Sequence, residues 1–212
     1  MSLFEEIKQS LIKGQAPKVK QLVQQALDEK AKPGDILTQG LIAGMEVIGE
    51  RFKKNEVYVP EVLIAARAMK EGMSILKPKL AAAGVKALGK VVMGTVKGDL
   101  HDIGKNLVCM MLEGAGFEVV DAGIDCSPEK FISSAQEKGA TVIGMSALLT
   151  TTMPSMKGTI EALAKAGLKG KILTMIGGAP VTQHYADEIG ADGYAPDAAS
   201  AVDTAKRLLH LN

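Results

Sequence analysis

Residues 91–104 decide the fold, and they read VVMGTVKGDLHDIG. The first five form an apolar run of the length expected for a buried strand, and a loop with Gly98 and Gly104 follows. From residue 103 to 115 the sequence is amphipathic at helical spacing, which predicts a helix. A strand that passes through such a loop into a helix begins a βαβ unit, in which successive strands are parallel.

The same alternation continues to the C-terminus. Further strands are predicted at 118–121, 141–145, 171–176 and 193–195, and further helices at 128–138, 153–166, 181–189 and 198–210. Strands and helices in this number favour a flavodoxin-like order, 2-1-3-4-5, over a full dinucleotide-binding fold. We therefore predict an α/β, Rossmann-like domain with a five-stranded parallel sheet and helices on both faces.

Residues 1 to about 83 have a different pattern, with almost no strand signal. Apolar residues recur at helical spacing in stripes over 22–27, 41–52 and 62–73, with breaks at Gly14, at 33–35 and at 53–56 before Pro60. This pattern predicts a bundle of four or five short helices. With residues 80–89 as the linker, we predict a helical domain over 1–88 and an α/β domain over 89–212.

The composition is that of a globular protein with a core, at 47% hydrophobic and 23% charged residues. A net charge of +1 and the absence of Trp give no reason to expect nucleic acid or a membrane surface as a partner. The N-terminus is amphipathic and charged, unlike a signal peptide. Cys109 and Cys126 are two lone thiols, expected to be buried, and they suit a reducing cytoplasm, where we expect the protein to act.

Three loops contain most of the unusual residues of the α/β half. They follow strands 1, 3 and 4, at 96–104, 146–152 and 177–180. In an open parallel sheet, ligands bind beyond the carboxyl ends of the strands where the strand order reverses, here between strands 1 and 3. The topology therefore predicts a ligand site at this edge of the sheet.

Among the histidines His101, His184 and His210, only His101 lies in one of these loops. Asp99 is two residues away, and a ligating imidazole usually donates its other N–H to a carboxylate. Helix capping by Asp99, with an incidental histidine beside it, explains the same residues equally well. Neither cysteine lies at ligand spacing from His101, so one histidine supports a macrocyclic cofactor, which fills four equatorial positions, rather than a bare ion.

Three segments of the α/β half resemble the signatures D-x-H-x-x-G, S-x-L and G-G of cobalamin-binding domains. They are Asp99–Gly104 within GDLHDIGKN, Ser146–Leu148, and Gly177-Gly178. Residues 52–61, FKKNEVYVPE, resemble the helical cap of B12-dependent methyltransferases. The layout without a catalytic barrel is similar to the stand-alone corrinoid proteins of methanol, methylamine, glycine-betaine and aryl-ether methyltransferase systems, and to the cobalamin module of methionine synthase.

This resemblance implies a bound cobalamin or related corrinoid. His101 would be the lower axial ligand of the cobalt in place of the cofactor's own benzimidazole, and Asp99 and Thr152 would complete a hydrogen-bonded relay with it. Other cofactor-binding residues implied by position are Gly98, Asp102, Ile103, Gly104, Ser146, Leu148, Thr150, Gly177 and Gly178, the last two because glycines let a ligand approach the backbone closely. In the cap, Phe52 and Val59 would shield the upper cobalt face, although Val59 is smaller than the leucine expected there.

The implied function is that of a methyl carrier. It would shuttle a methyl group on cobalt between a substrate-specific methyltransferase and a second methyltransferase, whose acceptor would be tetrahydrofolate or a thiol, and a reductive activase would be a further partner. We expect a non-catalytic or co-catalytic subunit, since the sequence contains no candidate substrate-activating centre.

Other functional classes would differ in identifiable features. A subunit of a B12-dependent mutase would lack the helical cap. A B12-sensing regulator would add a DNA-binding domain and a cap motif with Trp. A flavodoxin-like protein without a cofactor would not need the three signatures.

Overall fold

In the computed structural model, which describes residues 2–211, the chain divides into two compact units. One comprises the residues up to 87 together with Gly114–Gly116, and the other comprises 88–113 and the residues from 117 onward.

The first unit is helical, as predicted. Its helices are α1 (Leu3–Ile12), α2 (Ala16–Asp28), α3 (Pro33–Asp35), α4 (Ala43–Lys53) and α5 (Val59–Ala82), with a π-helical segment, Ile36–Ile42, between α3 and α4. The spacing of apolar residues gave no indication of the π-helical segment. Of the helices within residues 2–211, none is long and apolar enough to cross a membrane.

Local sequence explains how these helices begin and turn. Ser2 caps α1, since its hydroxyl oxygen accepts the Glu5 amide at 3.3 Å. Between α1 and α2, Gly14 has a φ of 66°, and a Cβ there would collide with Ile64. The core consists of apolar side chains with no exposed surface, among them Ile7, Leu11, Val19, Val23, Ile36, Leu41, Val62 and Leu76.

The predicted linker, residues 80–89, begins before the last helix of the first unit has ended. α5 continues to Ala82, and Leu80 is buried, so its packing retains the last turn of the helix. Gly84, with a φ of 70°, follows the end of the helix.

The second unit alternates strands and helices. Its strands are β1 (Lys90–Val96), β2 (Glu118–Cys126), β3 (Val142–Ser146), β4 (Leu173–Gly177) and β5 (Gly193–Ala195). Its helices are α6 (Ile103–Gly114), of which Gly114 falls in the first unit, α7 (Pro128–Lys138), α8 (Pro154–Lys165), α9 (Gln183–Ile189) and α10 (Ala198–Leu208). The strands are all parallel in the order β2-β1-β3-β4-β5, which confirms the predicted topology.

The strands at the centre of this sheet are buried runs. β1 and β3 are buried almost throughout, and Phe131 of α7 packs so closely on β1 that a Cβ at Gly94 would lie 2.6 Å from its ring. Cys109 and Cys126 are both buried free thiols, as the sequence predicted.

β2 is longer than predicted, because it continues beyond residue 121 to Cys126. Its register shifts twice against β1, and the extra residues include Gly123 and Asp125, with φ values of 87° and 49°. Such shifts bend a strand without ending its pairing, so the residues after 121 are part of an irregular strand end.

β4 begins at Leu173 rather than at residue 171. The amides of Lys171 and Ile172 both donate to the carbonyl of Leu168, at 3.0 and 2.9 Å. Because each amide is used in this turn, neither is available to a neighbouring strand.

Candidate functional site

The loop after β1 places a buried carboxylate, that of Asp99, at the edge of the sheet. The Asp99 amide donates to the carbonyl of Val96 at 3.1 Å, which turns the chain directly after the strand. Asp99 has no exposed surface, so its carboxylate depends on protein donors for every hydrogen bond.

The two oxygens of Asp99 face different loops. Oδ1 accepts the His101 amide at 3.1 Å and lies 2.7 Å from Nδ1 of the same residue. Oδ2 accepts three donors from the loop after β3: the amides of Leu148 and Leu149 at 2.8 and 3.2 Å and the hydroxyl of Thr152 at 2.7 Å. One carboxylate therefore joins the two loops on either side of the switch point.

These donors determine the charge of Asp99. Burial alone would raise the pKa of the carboxyl, but hydrogen bonds from His101, Leu148 and Thr152 outweigh burial and keep that pKa well below its usual range. Asp99 is therefore an anion at neutral pH and can only accept.

An ionised Asp99 requires that Nδ1 of His101 carries a proton and donates it. In the neutral ring, Nε2 then has the free lone pair. The side chain is 51% exposed, and no protein partner of Nε2 is found within residues 2–211. Thr95 further restrains the residue, since its buried hydroxyl donates to the His101 carbonyl at 2.7 Å.

Helix capping by Asp99, the alternative left open by the sequence, is wrong. α6 begins at Ile103, and the carboxylate of Asp99 accepts none of its donors from that helix. Asp102 lies before the helix instead, and its carbonyl and its carboxylate both accept from Asn106, at 2.7 and 3.1 Å.

Apolar side chains of the two joined loops are exposed. They are Leu100 (66%), Ile103 (78%), Leu148 (44%) and Leu149 (43%). Exposed apolar residues grouped in this way indicate a surface that binds a ligand. One available imidazole nitrogen among them fits a flat, largely apolar macrocycle whose metal takes a single nitrogen ligand from the protein.

Gly177 and Gly178 both lie where an added side chain would meet neighbouring backbone, and their expected contact with a ligand stays a prediction. A Cβ on Gly178, which has a φ of 134°, would collide with the carbonyl of Ala147, and a Cβ on Gly177 would lie 2.9 Å from the carbonyl of Ala195. The space that these glycines leave is filled by neighbouring backbone. Gly178 allows the loop after β4 to pack against the Ser-x-Leu loop, and Gly177 allows the end of β4 to approach Ala195 of β5.

The remaining predicted residues of the α/β unit lie in the same loops. Gly98 (φ 85°) precedes Asp99, and a Cβ on Gly104 would meet no atom within 4 Å. Ser146 ends β3, where it pairs with both Thr95 and Gly177, and Thr150 is exposed in the next loop.

Phe52 in α4 and Val59 at the start of α5 belong to the helical unit, and both are half-buried. Their role over the cobalt face stays a prediction.

Sequence reasoning missed contacts that restrain the His101 loop. The amide of Leu149 is a backbone donor and leaves no trace in the sequence. Two further contacts were missed. Asp125 accepts the amide of Gly98 in this loop, and Asp121 accepts from Lys105 in the helix that follows it. The signal for them was the lysine after Gly104 together with two acidic residues on either side of Gly123.

The class of protein can now be stated from its architecture and from the residues at the edge of its sheet. It is a flavodoxin-like α/β unit, accompanied by a helical unit, that presents one carboxylate-bound imidazole at the switch point of its sheet.

Comparison with known proteins agrees with this description. Two family models, each described as a B12 binding domain, match residues 3–77 and 89–203. A corrinoid protein of Desulfitobacterium hafniense (strain Y51) is 45% identical over 212 residues, covering 99% of this chain and 98% of the relative. A dimethylamine corrinoid protein of Methanosarcina barkeri is 46% identical over 209 residues, covering 98% and 97%.

Solved structures agree as well. A cobalamin-binding protein from Desulfitobacterium hafniense DCB-2 superposes with a TM-score of 0.82 at 30% identity, covering 98% of both chains. A chain of the methanol:cobalamin methyltransferase complex MtaBC from Methanosarcina barkeri gives a TM-score of 0.87 at 31% identity, covering 98% of this chain and 80% of the other. The chain belongs to the family of B12-binding corrinoid proteins, which confirms the resemblance seen in its sequence.

Proposed function

We propose that this protein is a corrinoid methyl carrier, the subunit of a methyltransferase system that presents a methyl group on cobalt to its partner enzymes. The observation that carries the proposal is the half-exposed imidazole of His101, bonded through Nδ1 to the buried Asp99 at 2.7 Å, in a chain of the corrinoid family. When bound, the corrinoid supplies a cobalt centre that can accept and release a methyl group.

Each residue of the site has a separate role. His101 would hold the cobalt through Nε2, while Asp99 fixes the orientation of the ring and retains the proton on Nδ1. The exposed side chains of Leu100 and Leu148 would contact the apolar macrocycle and exclude water from the site.

Thr152 adjusts the proton distribution next to this pair. Its hydroxyl lies 2.7 Å from Oδ2 of Asp99 and 2.8 Å from the carbonyl of Leu149, and its single proton can be donated to only one of them. The ionised carboxylate is the stronger acceptor, so the proton points to Asp99 and favours the anion that accepts from His101.

The partners follow from the carrier role. One partner is a methyltransferase that supplies the methyl group, and we propose a second that removes it to tetrahydrofolate or a thiol, together with a reductive activase. Dimethylamine corrinoid proteins are 42–46% identical to this chain, whereas the chain of the methanol complex is 31% identical. We therefore propose a methylated amine as the first donor to test.

The axial ligand can be tested by electron paramagnetic resonance. Protein labelled with 15N-histidine is loaded with hydroxocobalamin and reduced to the paramagnetic cobalt(II) state. A histidine ligand splits the cobalt lines into doublets, whereas the benzimidazole of the cofactor, with 14N, gives triplets. We expect doublets for the wild type and for His184→Ala, which removes an exposed histidine of α9, and their loss in His101→Ala. Triplets in the wild type would refute His101 as the ligand.

The carrier role is tested with the fully loaded and reduced protein. It is mixed with dimethylamine and a dimethylamine methyltransferase, or with methanol and a methanol methyltransferase as the matched control, and methylation is followed by absorbance. We expect methylation with the amine system. If no methyl donor system methylates the protein, the carrier function is wrong.

A further inference from the structure

The irregular end of β2 lies beside the loop that carries His101. In the pairing with β1, Met93 lies opposite Asp121, Gly94 opposite Gly123 and Val96 opposite Cys126, so β2 carries more residues than β1 over the same span. Asp121 directly precedes these shifts and Asp125 lies among the shifted residues, so the irregular part of β2 begins at one carboxylate and contains the other.

Asp125 contacts the loop before His101. Its Oδ1 accepts the amide of Gly98 at 2.7 Å, and its own amide donates to the carbonyl of Asp99 at 3.1 Å. Asp125 has a φ of 49°, a left-handed conformation that few residues other than glycine, asparagine and aspartate adopt. The left-handed backbone at Asp125 therefore places its amide and its carboxylate where both can form these hydrogen bonds.

Asp121 contacts the helix after His101. Both of its oxygens lie 2.6 Å from Nζ of Lys105, which also donates to Oδ1 of Asn106 at 2.7 Å. Asp121 is itself oriented by the amide of Gly123, which donates to Oδ1 at 2.8 Å. The ammonium group of Lys105 therefore has three hydrogen-bond acceptors, and two of them are the carboxylate oxygens of Asp121.

Lys105 occupies an unfavourable position for a lysine. Its side chain is 2% exposed, and it lies in the first turn of α6, where the helix dipole disfavours a positive charge. The ion pair with Asp121 compensates for both effects. A lysine buried at this position therefore fixes the first turn of α6 against β2.

The two contacts lie on either side of His101, at Gly98 before it and at Lys105 after it. We infer that Asp121 and Asp125 at the end of β2, together with Lys105 of α6, form a clamp that positions the His101 imidazole for its metal. This inference rests on the proposed role of His101 as the axial ligand. Asp99 fixes the rotation of the ring, and the clamp fixes the backbone from which the ring projects.

The chain contains a matched control for the ion pair. Lys90 of β1 and Glu118 of β2 form an ion pair at 3.0 Å, at the opposite end of these strands from the His101 loop. Lys105→Met is therefore compared with Lys90→Met, both loaded with hydroxocobalamin. We expect Lys105→Met to bind about tenfold more weakly and to lose part of the axial-nitrogen splitting, and Lys90→Met to match the wild type.

Asp125 provides an independent pair of variants. Asp125→Asn keeps an acceptor oxygen and tolerates the left-handed backbone, so it should retain the wild-type splitting. Asp125→Gly also tolerates that backbone but has no acceptor for the Gly98 amide, and we expect it to weaken the splitting. Since glycine introduces no strain, the difference between these variants reports the hydrogen bond.

Circular dichroism establishes that each variant is folded, and hydrogen exchange of the unloaded protein gives a readout that needs no cofactor. Faster exchange of residues 98–104 in Lys105→Met than in Lys90→Met is expected. Equal exchange in these two variants, together with unchanged axial splitting in Lys105→Met and Asp125→Gly, would overturn the clamp. Triplets in the wild-type spectrum would refute the axial ligand instead, and the exchange comparison would still test the clamp.

Discussion

At the scale of single residues, the carboxylate of Asp99 determines the state of the imidazole. A carboxylate without exposed surface is stable as an anion only when donors replace its water, and Asp99 receives them from His101, Leu148, Leu149 and Thr152. The neutral ring then has a single nitrogen, Nε2, that can bind a metal.

Substitutions in this group should differ in severity. Asp99→Asn replaces an oxygen by an NH2 group that faces existing donors, so we expect affinity for hydroxocobalamin to fall by about 10- to 100-fold. Thr152→Val removes one donor and nearly preserves the side-chain volume, and we expect a smaller loss. Absorbance titrations measure both affinities. A Thr152→Val variant that binds more weakly than Asp99→Asn would contradict this order.

The two thiols should be inert in the folded protein. Burial raises the pKa of Cys109 to about 12 and also raises the pKa of Cys126 above its ordinary value of 9.0. We expect negligible labelling by a thiol reagent at pH 8 until urea unfolds the chain. Because folding favours the neutral thiol, the stability it contributes is complete below pH 9 and is lost as the pH rises toward 12. Rapid labelling of the native protein would contradict this expectation.

At the scale of elements, the loops after β3 and β4 pack backbone against backbone. The Ala147 amide donates to the Gly177 carbonyl at 3.3 Å, and the Ala147 carbonyl fills the space beside Gly178. The glycine pair is therefore necessary for the shape of the site even before any ligand is considered.

Gly178→Ala should destabilise the protein by about 1–3 kcal/mol, because its Cβ would displace Ala147 and its φ of 134° is strained for alanine. Gly158→Ala is the matched control, since it lies in α8 with no atom within 4 Å of a new Cβ. Better helix propensity should make that variant more stable by about 0.5–1 kcal/mol. Urea unfolding measures both. Similar stability in the two variants would exclude the packing role of Gly178.

The end of β2 illustrates what local patterns cannot predict. Asp121, Gly123 and Asp125 follow the apolar residues of this strand, and the strand predicted from the sequence ends at residue 121. Parallel pairing with β1 continues past them through two register shifts. Pairing depends on a strand distant in sequence, so no window around residue 121 contains the information.

At the scale of the whole molecule, the site comes from three loops that are far apart in sequence. Hydrogen exchange should report this: hydroxocobalamin is expected to slow exchange in 97–104, 146–153 and 177–181 together. At about 100 times its dissociation constant, the ligand should stabilise the native state by about 2.7 kcal/mol. His101→Ala should show weaker protection in all three segments. Protection confined to one segment would contradict a shared site.

The pattern of residues along the chain was sufficient to predict the class of the fold, the strand order and the candidate ligand. Alternating apolar runs and amphipathic stretches specify parallel strands and their crossover helices, and strand order then fixes which loops meet. The scarcity of histidine and its spacing from Asp99 identified His101, because ligand chemistry requires particular residue types at short range.

The hydrogen bonds of Asp99 and the residues around it could be seen only in the folded chain. Whether its carboxylate caps α6 or bonds His101 and the loop after β3 depends on the distance between two loops, which the sequence does not contain. Three other features could not be predicted for the same reason. They are the ion pair of Lys105 with Asp121, the packing of the Ala147 carbonyl beside Gly178, and the extended end of β2. Each is an interaction between segments that approach only after the sheet has formed.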